Sequence, residues 1–325
     1  MNHRRRMALA GLLSPLLLVS ITASAQEEQR LSAEVLWQLE RVGSPVISPD
    51  GEMIVVPVTT YDAETDDPET RLWILDPDGE EPQRPLTATG ATASSPVFSP
   101  DGRTLAFVSK RGEDEAGQVY LLPMGRPGEA TRLTDLPTGA SDLRWVGEHI
   151  YFISRIWADR PLDEQGDAKK EEEEDKVSAF VWDDMPYSYF DHYLEADRSR
   201  HLFRIPAQGG EIENLTLGTG LELSRSTADT GHYDVSPDER QLAFVANADA
   251  GAAYPNLDIY LLDLDGGDPE NITEGNPASD MGPQFSPSGS QLAYLSQAIP
   301  GFYGDQAKLR IRDLDSGRVQ KLHEN

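Results

Sequence analysis

The stretch SPVFSPDGRTLAFVS, residues 95–109, decides how this chain folds. Two apolar runs of strand length flank the turn SPDG at 99–102. Pro100 fixes φ at the second position of the turn, Asp101 tolerates the third, and Gly102 adopts the left-handed conformation that lets the strand reverse. The stretch therefore predicts a β-hairpin.

The same turn recurs along the chain at steps of about fifty residues, with one step of double length. SPDG returns at 48–51, SPSG stands at 286–289, and SPDE at 236–239 has glutamate in place of the glycine. WVGE at 145–148 occupies the turn of a degenerate third copy. Each copy ends in a short closing strand: PLT at 85–87, RLT at 132–134, NLT at 214–216, NIT at 271–273 and QKL at 320–322.

This repeat predicts an all-β fold, a β-propeller of four-stranded blades with a short N-terminal helix. Second strands such as Leu105–Val108 are apolar on both faces, as expected for small sheets that lie between neighbours. Five blades are readable over residues 44–325, and they begin near residues 44, 95, 141, 232 and 282. An insertion over residues 158–200 lengthens the third blade, and its charged part, 163–176, predicts a mobile loop.

The N-terminal residues predict the compartment. Arg4, Arg5 and Arg6 precede an apolar run over 7–21 and the small residues ASA at 23–25, so residues 1–25 are interpreted as a secretory signal peptide. A membrane anchor is the alternative, but the run is shorter than the roughly 18 residues that a span needs. We expect an exported protein, periplasmic or secreted, with no membrane attachment after cleavage.

Residues 26–43 form a lead-in to the first blade. Within it, residues 31–42 carry apolar side chains at helical spacing, and Ser32 is a suitable N-terminal cap. A short helix is therefore predicted ahead of the propeller.

Composition excludes several classes of partner and chemistry. The chain has no cysteine, so disulfides and thiolate chemistry are absent. Its net charge is -28, and loss of three arginines with the signal would take 28 basic residues to 25 against 56 acidic ones. Such a surface repels nucleic acid and anionic membranes.

Two stretches outside the repeat resemble the prolyl oligopeptidase family of serine peptidases, especially its acylaminoacyl-peptidase-like and dipeptidyl-peptidase-like members. The first is the lead-in, with LSAE at 31–34 and LERVGSP at 39–45, which resembles that family's entry into its first blade. The second lies in the insertion: VWDD at 181–184, DHY at 191–193 and RHLF at 200–203. The resemblance implies further blades and an α/β-hydrolase domain beyond this chain, so we expect an incomplete propeller.

No catalytic residue is assigned to the chain as given. A hydrolase of that family needs a Gly-x-Ser-x-Gly elbow with Asp and His following it, and no such pentapeptide occurs. GASDL at 139–143 is the nearest match, and it lacks the final glycine. The histidines show no zinc spacing, and His192 and His201 are interpreted as a packed pair rather than metal ligands, so neither cofactor nor metal is expected.

The insertion supplies the candidate substrate-binding residues. In dipeptidyl-type relatives, acidic propeller residues hold the free amine of the peptide, and the resemblance nominates Asp184 and Glu195 for that role. Packing of the insertion on its blade is the alternative for each of them.

Three functions are compatible with these features. The first is the non-catalytic propeller of an exported serine peptidase, which restricts access and positions peptides for a hydrolase domain absent from this chain; these 325 residues would then be inactive alone. The second is a stand-alone periplasmic propeller of the Tol-Pal type that acts as a protein-binding scaffold. The third is a propeller enzyme that uses carboxylates on its axis. Homo-oligomerisation is left open.

Overall fold

The computed structural model describes residues 31–175, 181, 188–189, 192–193, 197–224, 229–247, 256–302 and 304–322. Within them the strands form five antiparallel sheets of a propeller; in four sheets neighbouring strands follow one another in chain order, and in the first sheet the two short N-terminal strands both pair with the strand after them. The all-β propeller with four-stranded blades is thereby confirmed. We number the five sheets blade 1 to blade 5 along the chain; the predicted signal peptide, residues 1–25, lies outside the described residues.

The strands of each blade have the following bounds. Blade 1 contains β1 (Arg41–Val42), β2 (Val46–Ile47), β3 (Ile54–Tyr61), β4 (Pro68–Leu75) and β5 (Arg84–Pro85). Blade 2 contains β6 (Ala93–Phe98), β7 (Thr104–Ser109), β8 (Gln118–Pro123) and β9 (Thr131–Arg132). Blade 3 contains β10 (Ser141–Val146), β11 (His149–Trp157), β14 (Arg198–Pro206) and β15 (Glu213–Asn214), with the hairpin β12 (Ser188–Tyr189) and β13 (His192–Tyr193) in its insertion.

Blade 4 contains β16 (Tyr233–Val235), β17 (Gln241–Ala246), β18 (Asp258–Asp263) and β19 (Glu270–Asn271). Blade 5 contains β20 (Asp280–Phe285), β21 (Gln291–Ser296), β22 (Lys308–Asp313) and β23 (Val319–Lys321). Two α-helices, α1 (Ala33–Gln38) and α2 (Gln165–Glu174), and two 3-10 turns, Leu162–Glu164 and Thr230–His232, lie outside the sheets.

Apolar side chains fill the spaces between neighbouring blades. In β7, Leu105 and Phe107 pack between blades 1 and 2, whereas Ala106 and Val108 pack between blades 2 and 3. Successive side chains of a strand point to opposite faces, so one strand contributes to two cores. This explains why the second strands are apolar throughout, and it means that each blade is stabilised mainly by its neighbours.

The repeated turn is held by the serine that begins it. In blade 2, Ser99 Oγ donates to Asp101 Oδ1 at 2.6 Å and accepts from the backbone N–H of Thr104 at 3.0 Å. Gly102 has φ +70°, and its N–H donates to the carbonyl of Ser99 at 2.8 Å. In this turn the serine and aspartate side chains bond the turn backbone, and the glycine adopts the positive φ.

Blade 4 departs from this turn because Glu239 stands at the glycine position. Glu239 also adopts a positive φ, +56°, which is unfavourable for a side chain with a Cβ. Its carboxylate reaches blade 3, where it accepts from the N–H of Glu148 at 3.0 Å and lies 2.8 Å from His149 Nδ1. The degenerate turns of blades 3 and 4 thus contact each other.

We expect Glu239→Ala to destabilise the protein by about 2 kcal/mol, because it loses these bonds and keeps the left-handed backbone. Glu239→Gly should be about 1 kcal/mol more stable than the alanine variant, since glycine adopts positive φ readily. Urea unfolding followed by circular dichroism measures both. Equal midpoints for the two variants would show that the backbone strain has been assigned wrongly.

In blades 1 to 4 a buried threonine lies two residues after the closing strand and bonds the third strand of the same blade. Thr273 Oγ1 accepts from the backbone N–H of Ile259 at 2.9 Å, and Thr87, Thr134 and Thr216 make the same contact in blades 1, 2 and 3. The repeated threonine therefore satisfies a buried backbone donor where the short closing strand ends.

Thr273→Val should cost about 1.5 kcal/mol of unfolding free energy, because the N–H of Ile259 is left buried without its acceptor. The exposed Thr131→Val, also in a closing strand, is the matched control and should change stability by less than about 0.5 kcal/mol. Thermal unfolding of the two variants gives the comparison, and equal losses would contradict this role for the hydroxyl.

The lead-in has less helix than the spacing of residues 31–42 predicted. Helix α1 covers only Ala33–Gln38, with Ser32 Oγ accepting from the N–H of Val35 at 3.3 Å as the expected cap. Val42 lies in β1, which pairs with β3 and extends the first strand of blade 1. The helix ends early because sheet pairing of Arg41 and Val42 competes with it.

The charged part of the insertion also differs from its prediction in secondary structure. Residues 163–176 were expected to form a loop, but α2 covers Gln165–Glu174. Gln165 is fully buried and its side chain bonds both the N–H and the carbonyl of Trp157, each at 2.9 Å. Lys169 Nζ lies 2.8 Å from Glu115 Oε2 of blade 2. These tertiary contacts, absent from any local pattern, fix the helix.

Candidate functional site

The two nominated substrate-binding residues, Asp184 and Glu195, lie outside the described residues. The described base of the insertion is anchored to blade 3, since Trp157 Nε1 donates to Asp197 Oδ2 at 3.1 Å. The candidate site is therefore described from the blade residues next to the base of the insertion.

The first strand of each blade lies nearest the propeller axis, where β2 contacts β6, β6 contacts β10, and β16 contacts β20. Most of these strands are interrupted at the same place. Register shifts occur in β6 after Ser94, in β10 after Ser141 and in β20 after Met281, and the next residue in each strand has a positive φ. These bulges turn side chains toward the axis.

A pocket of about 500 Å³ lies among the first strands of blades 1, 2 and 3. Its walls are mainly apolar, and two carboxylates, Asp142 and Asp229, are its acidic groups. The lining residues are Ser44, Val46, Pro57, Ser95, Pro96, Val97, Asp142, Leu143, Arg144, Trp145, Val146 and Asp229.

Asp142 occupies the bulge of β10 with φ +55°, a strained conformation for an aspartate. Its backbone carbonyl accepts from the hydroxyl of Tyr233 at 2.5 Å, which fixes the peptide unit against blade 4. Burial raises the pKa of the Asp142 carboxyl, and the charge of Asp229 acts in the same direction, whereas the Ser141 hydroxyl, Arg200 and His232 lower it. Strain and a perturbed pKa together mark Asp142 as a candidate functional residue.

Asp142 also borders a second pocket, of about 370 Å³, at the rim of blade 3 from which the insertion leaves. Three arginines line it, together with hydroxyl and glycine residues. The complete lining is Gly117, Thr138, Gly139, Ala140, Ser141, Asp142, Ile153, Ser154, Arg155, Arg198 and Arg200. We call Arg155, Arg198, Arg200 and the space between them the arginine pocket.

The arginines come from adjacent strands of one blade. Arg155 of β11 is directly opposite Arg200 of β14, and Trp157 is opposite Arg198, so all four side chains lie on one face of the strand pair. Arg198 lies over the ring of Trp157, 4.9 Å from its centroid, and 3.5 Å from Glu172 Oε1 of α2. Arg200 Nη1 donates to the carbonyl of Ser224 at 2.9 Å.

Serine hydroxyls are present at the arginine pocket, but among the described lining residues of both pockets there is no histidine to act as a base. Ser154 Oγ instead donates to the carbonyl of Gly139 at 2.6 Å. Within the described part of the chain, no group of three or more His, Asp and Glu side chains is arranged to hold a metal ion.

His201 of β14 is buried, and both ring nitrogens have hydroxyl partners. Nε2 lies 2.9 Å from Ser199 Oγ and Nδ1 lies 3.0 Å from Thr216 Oγ1. The predicted packing of His201 against His192 stays a prediction, because the side chain of His192 lies outside the described residues. Burial lowers the pKa of His201, while the charge of Glu222 raises it to a smaller extent.

Acidification is expected to destabilise the protein through His201. Because its folded-state pKa is below the unfolded value of about 6.5, the unfolded chain binds more protons, and stability falls as the pH drops below about 6.5. The melting temperature of the wild type should therefore fall more between pH 7.5 and pH 5.5 than that of His201→Gln. Parallel pH dependence in the two proteins would rule out this contribution.

Sequence reasoning did not identify Asp142 or the three arginines. In the sequence Asp142 is only part of an imperfect nucleophile elbow, although it stands where blades 2 and 5 have Ser95 and Gly282. That exchange within the repeat is the signal that could have revealed it. The arginines gave a weaker signal: Arg198 and Arg200 are two residues apart, so in a strand both side chains lie on the same face.

No helix within the described residues is long and apolar enough to cross a membrane. No protein-family model matches the chain. Its sequence is 26% identical over 296 residues to dipeptidyl-peptidase 5 of Porphyromonas endodontalis, an alignment that covers 89% of this chain and 41% of the relative. The chain spans less than half the length of that relative.

Solved structures show the same fold. An acylaminoacyl peptidase in complex with Z-Gly-Gly-Phe-chloromethyl ketone matches with a TM-score of 0.64 and 15% identity, over 89% of this chain and 40% of that one. The β-propeller domain of the Trilobed protease from Pyrococcus furiosus, which has an open velcro topology, matches with a TM-score of 0.53 and 12% identity, over 88% of this chain and 72% of that one. The predicted resemblance to propeller regions of prolyl oligopeptidase-family peptidases is confirmed.

Proposed function

We propose that this chain is the propeller portion of an exported serine peptidase, and that it admits and positions peptides for an α/β-hydrolase domain elsewhere in the same protein. One observation carries the proposal: similarity to a dipeptidyl-peptidase extends over 89% of this chain but only 41% of that enzyme. The matched portion has an axial pocket and a rim pocket, and the described lining residues of both include no histidine.

The blades would act by restricting size and by orienting the substrate. The axial pocket of about 500 Å³ accommodates a short peptide segment but not a folded protein. Its apolar walls favour side-chain contacts, while Asp142 and Asp229 favour a cationic group such as a peptide amine. Holding a peptide in one orientation would lower the entropic cost of reaching the reactive geometry.

Sequencing the gene downstream of the Asn325 codon tests the proposal directly. We expect the reading frame to continue through further blades into a Gly-x-Ser-x-Gly elbow followed by Asp and His. The complete product should hydrolyse dipeptidyl-methylcoumarylamide substrates, and the 325-residue chain should release no more fluorophore than buffer. A stop codon directly after Asn325, with no hydrolysis, would instead favour a scaffold of the Tol-Pal type.

Export is tested separately by N-terminal sequencing of the protein from the envelope fraction of a Gram-negative host. A mature N-terminus at Gln26 is expected from the small residues ASA at 23–25. Recovery of an N-terminus at Met1 or Asn2 from the cytosolic fraction would overturn this part of the proposal.

A further inference from the structure

Two buried aspartates lie between blades 4 and 5. Asp258 begins β18 and is 8% exposed, and Asp280 begins β20 and is 1% exposed. Among the ion pairs that the described residues form, none includes either carboxylate. A buried charge is costly unless it is paired with an opposite charge or coordinates a metal ion. Neutral hydrogen-bond partners alone do not supply that opposite charge.

Two asparagines connect these carboxylates. Asn276 Nδ2 donates to Asp280 Oδ2 at 3.0 Å, and the backbone carbonyl of Asn276 accepts from Asn256 Nδ2 at 3.3 Å. The same nitrogen of Asn256 lies 3.3 Å from Asp258 Oδ1. The N–H of Asp280 also donates to the carbonyl of Leu257 at 2.7 Å, which holds the start of β20 beside the start of β18. We call Asp258, Asp280, Asn256 and Asn276 the aspartate cluster.

The aspartate cluster contains oxygen acceptors that lack donors. Within the described part of the chain, Oδ1 of Asp280 and Oδ1 of Asn256 are buried and have no hydrogen-bond partner. Asn276 Nδ2 has two hydrogens but several oxygens within 3.2 Å, namely Asp280 Oδ2, Ser296 Oγ and the carbonyls of Ala278 and Gln297. Buried oxygens without donors are the groups that a bound ion satisfies.

The boundary between blades 2 and 3 shows the same backbone arrangement without acids. There the N–H of Ala140 donates to the carbonyl of Gly117, the residue before Gln118, just as Asp280 donates to the residue before Asp258. Gln118 and Ala140 therefore occupy the positions that the two aspartates occupy between blades 4 and 5. The propeller repeat folds with neutral residues at both positions, so its architecture does not explain the acidic pair.

We propose that the aspartate cluster binds one calcium ion through the carboxylates of Asp258 and Asp280 and the amide oxygen of Asn256. Calcium takes roughly six to eight oxygen ligands from carboxylates, amides, backbone carbonyls and water. Such a set does not need three His, Asp or Glu side chains, an arrangement absent from the described residues. The ion would cross-link blades 4 and 5. The inference is independent of the proposed function, because it concerns only the boundary between two blades.

Thermal unfolding of the 325-residue chain after treatment with EDTA tests the proposal. For a dissociation constant on the order of 0.1 mM, about 10 mM CaCl2 should raise the melting temperature by about 5 °C, because the ion binds only the folded state. The same concentration of MgCl2 should raise it by less than about 1 °C, since Mg²⁺ demands octahedral geometry and releases water reluctantly. The magnesium sample also measures the general effect of divalent ions on the acidic surface.

A double variant, Asp258→Gln with Asp280→Ala, reproduces the residues found between blades 2 and 3. It should fold and lose the shift that is specific to calcium. The matched control is Asp265→Ala with Asp268→Ala, which also removes two negative charges, but from exposed positions of blade 4. The control should keep the full shift. A calcium-specific shift that persists in the first variant would overturn the proposal.

Terbium luminescence of the wild type gives a test that needs no variant. Tb³⁺ resembles Ca²⁺ in size and ligand preference, and a nearby tyrosine excites its emission. Tyr260 is suitably placed, because its hydroxyl lies 3.4 Å from Asn271 Nδ2, which donates to Asp258 Oδ2 at 2.8 Å. Emission excited through tyrosine should appear with about one equivalent of Tb³⁺, and Ca²⁺ should displace it at concentrations where Mg²⁺ does not.

Two results on the wild type would overturn the proposal: melting shifts that are equal for calcium and magnesium, or no terbium emission that calcium displaces. Either result would show that a proton, rather than a metal ion, neutralises the aspartate pair. Both would leave the continuation of the reading frame, which tests the proposed function, unaffected.

Discussion

Replacing Asp234 with alanine is expected to lower the free energy of unfolding by about 3 kcal/mol. Asp234 lies in β16, and its carboxylate links three blades close to the axis: Oδ1 is 3.3 Å from Arg144 Nη1 of blade 3, and Oδ2 accepts from the N–H of Phe285 in blade 5 at 2.8 Å. Alanine would leave a partly buried guanidinium without this partner and a buried backbone donor without an acceptor.

The asparagine variant separates the hydrogen bond from the charge. Burial raises the pKa of Asp234, with Arg144 and two backbone N–H groups acting in the opposite direction, so burial offsets part of the benefit of the charge. Asp234→Asn retains an acceptor for Phe285 and should cost less than half as much as alanine. Guanidinium unfolding of both variants is the measurement, and the exposed Asp268→Ala in the same blade is the control. A loss for Asp234→Ala no larger than that of the control would contradict the linking role.

Phe203→Ala should destabilise the protein still more, by about 4 kcal/mol. Phe203 of β14 is fully buried and stacks on Phe152 of β11 with ring centroids 5.5 Å apart and planes 10° apart. Both rings lie in the core between blades 2 and 3, beneath the strand ends that carry the arginine pocket. Loss of the ring would leave a cavity that the rigid strands cannot close.

Two control variants separate the effect of side-chain size from that of burial. Phe203→Leu retains much of the volume and should cost about 1.5 kcal/mol, while Phe302→Ala removes a ring that is 53% exposed and should cost less than about 0.5 kcal/mol. Differential scanning calorimetry of the three variants ranks them. If Phe302→Ala proved as damaging as Phe203→Ala, the core between blades 2 and 3 would not be the main source of stability there.

The blades could be predicted from sequence because their specification is local. A turn such as Ser99–Gly102 has its bonds within five residues, and the alternation of Leu105 and Ala106 between two cores recurs in the second strands of blades 3 and 4. Local patterns of this kind can be recognised in a single sequence. Helix α2 was missed for the opposite reason, since buried Gln165 and its bonds to Trp157 fix it from outside its own sequence.

The candidate site was less predictable because distant segments build it. Arg155 and Arg200 become neighbours only through the register of β11 and β14, and the insertion between those strands prevents that register from being counted in the sequence. Asp142 lies at a bulge in β10, which shifts by one residue the order in which side chains point to the two faces of the strand and places Asp142 next to the axis. Both features depend on geometry that the hydrophobic pattern does not encode.

The contact between the turns of blades 3 and 4 couples the residues at positions 147 and 239. Gly147 lies so close to the carboxylate of Glu239 that a Cβ at position 147 would overlap Glu239 Oε2. A larger residue at 147 therefore displaces the Glu239 carboxylate from its bonds to blade 3, and the positive φ of Gly147, +52°, adds backbone strain. The effects of mutations at these two positions are thus expected to be non-additive.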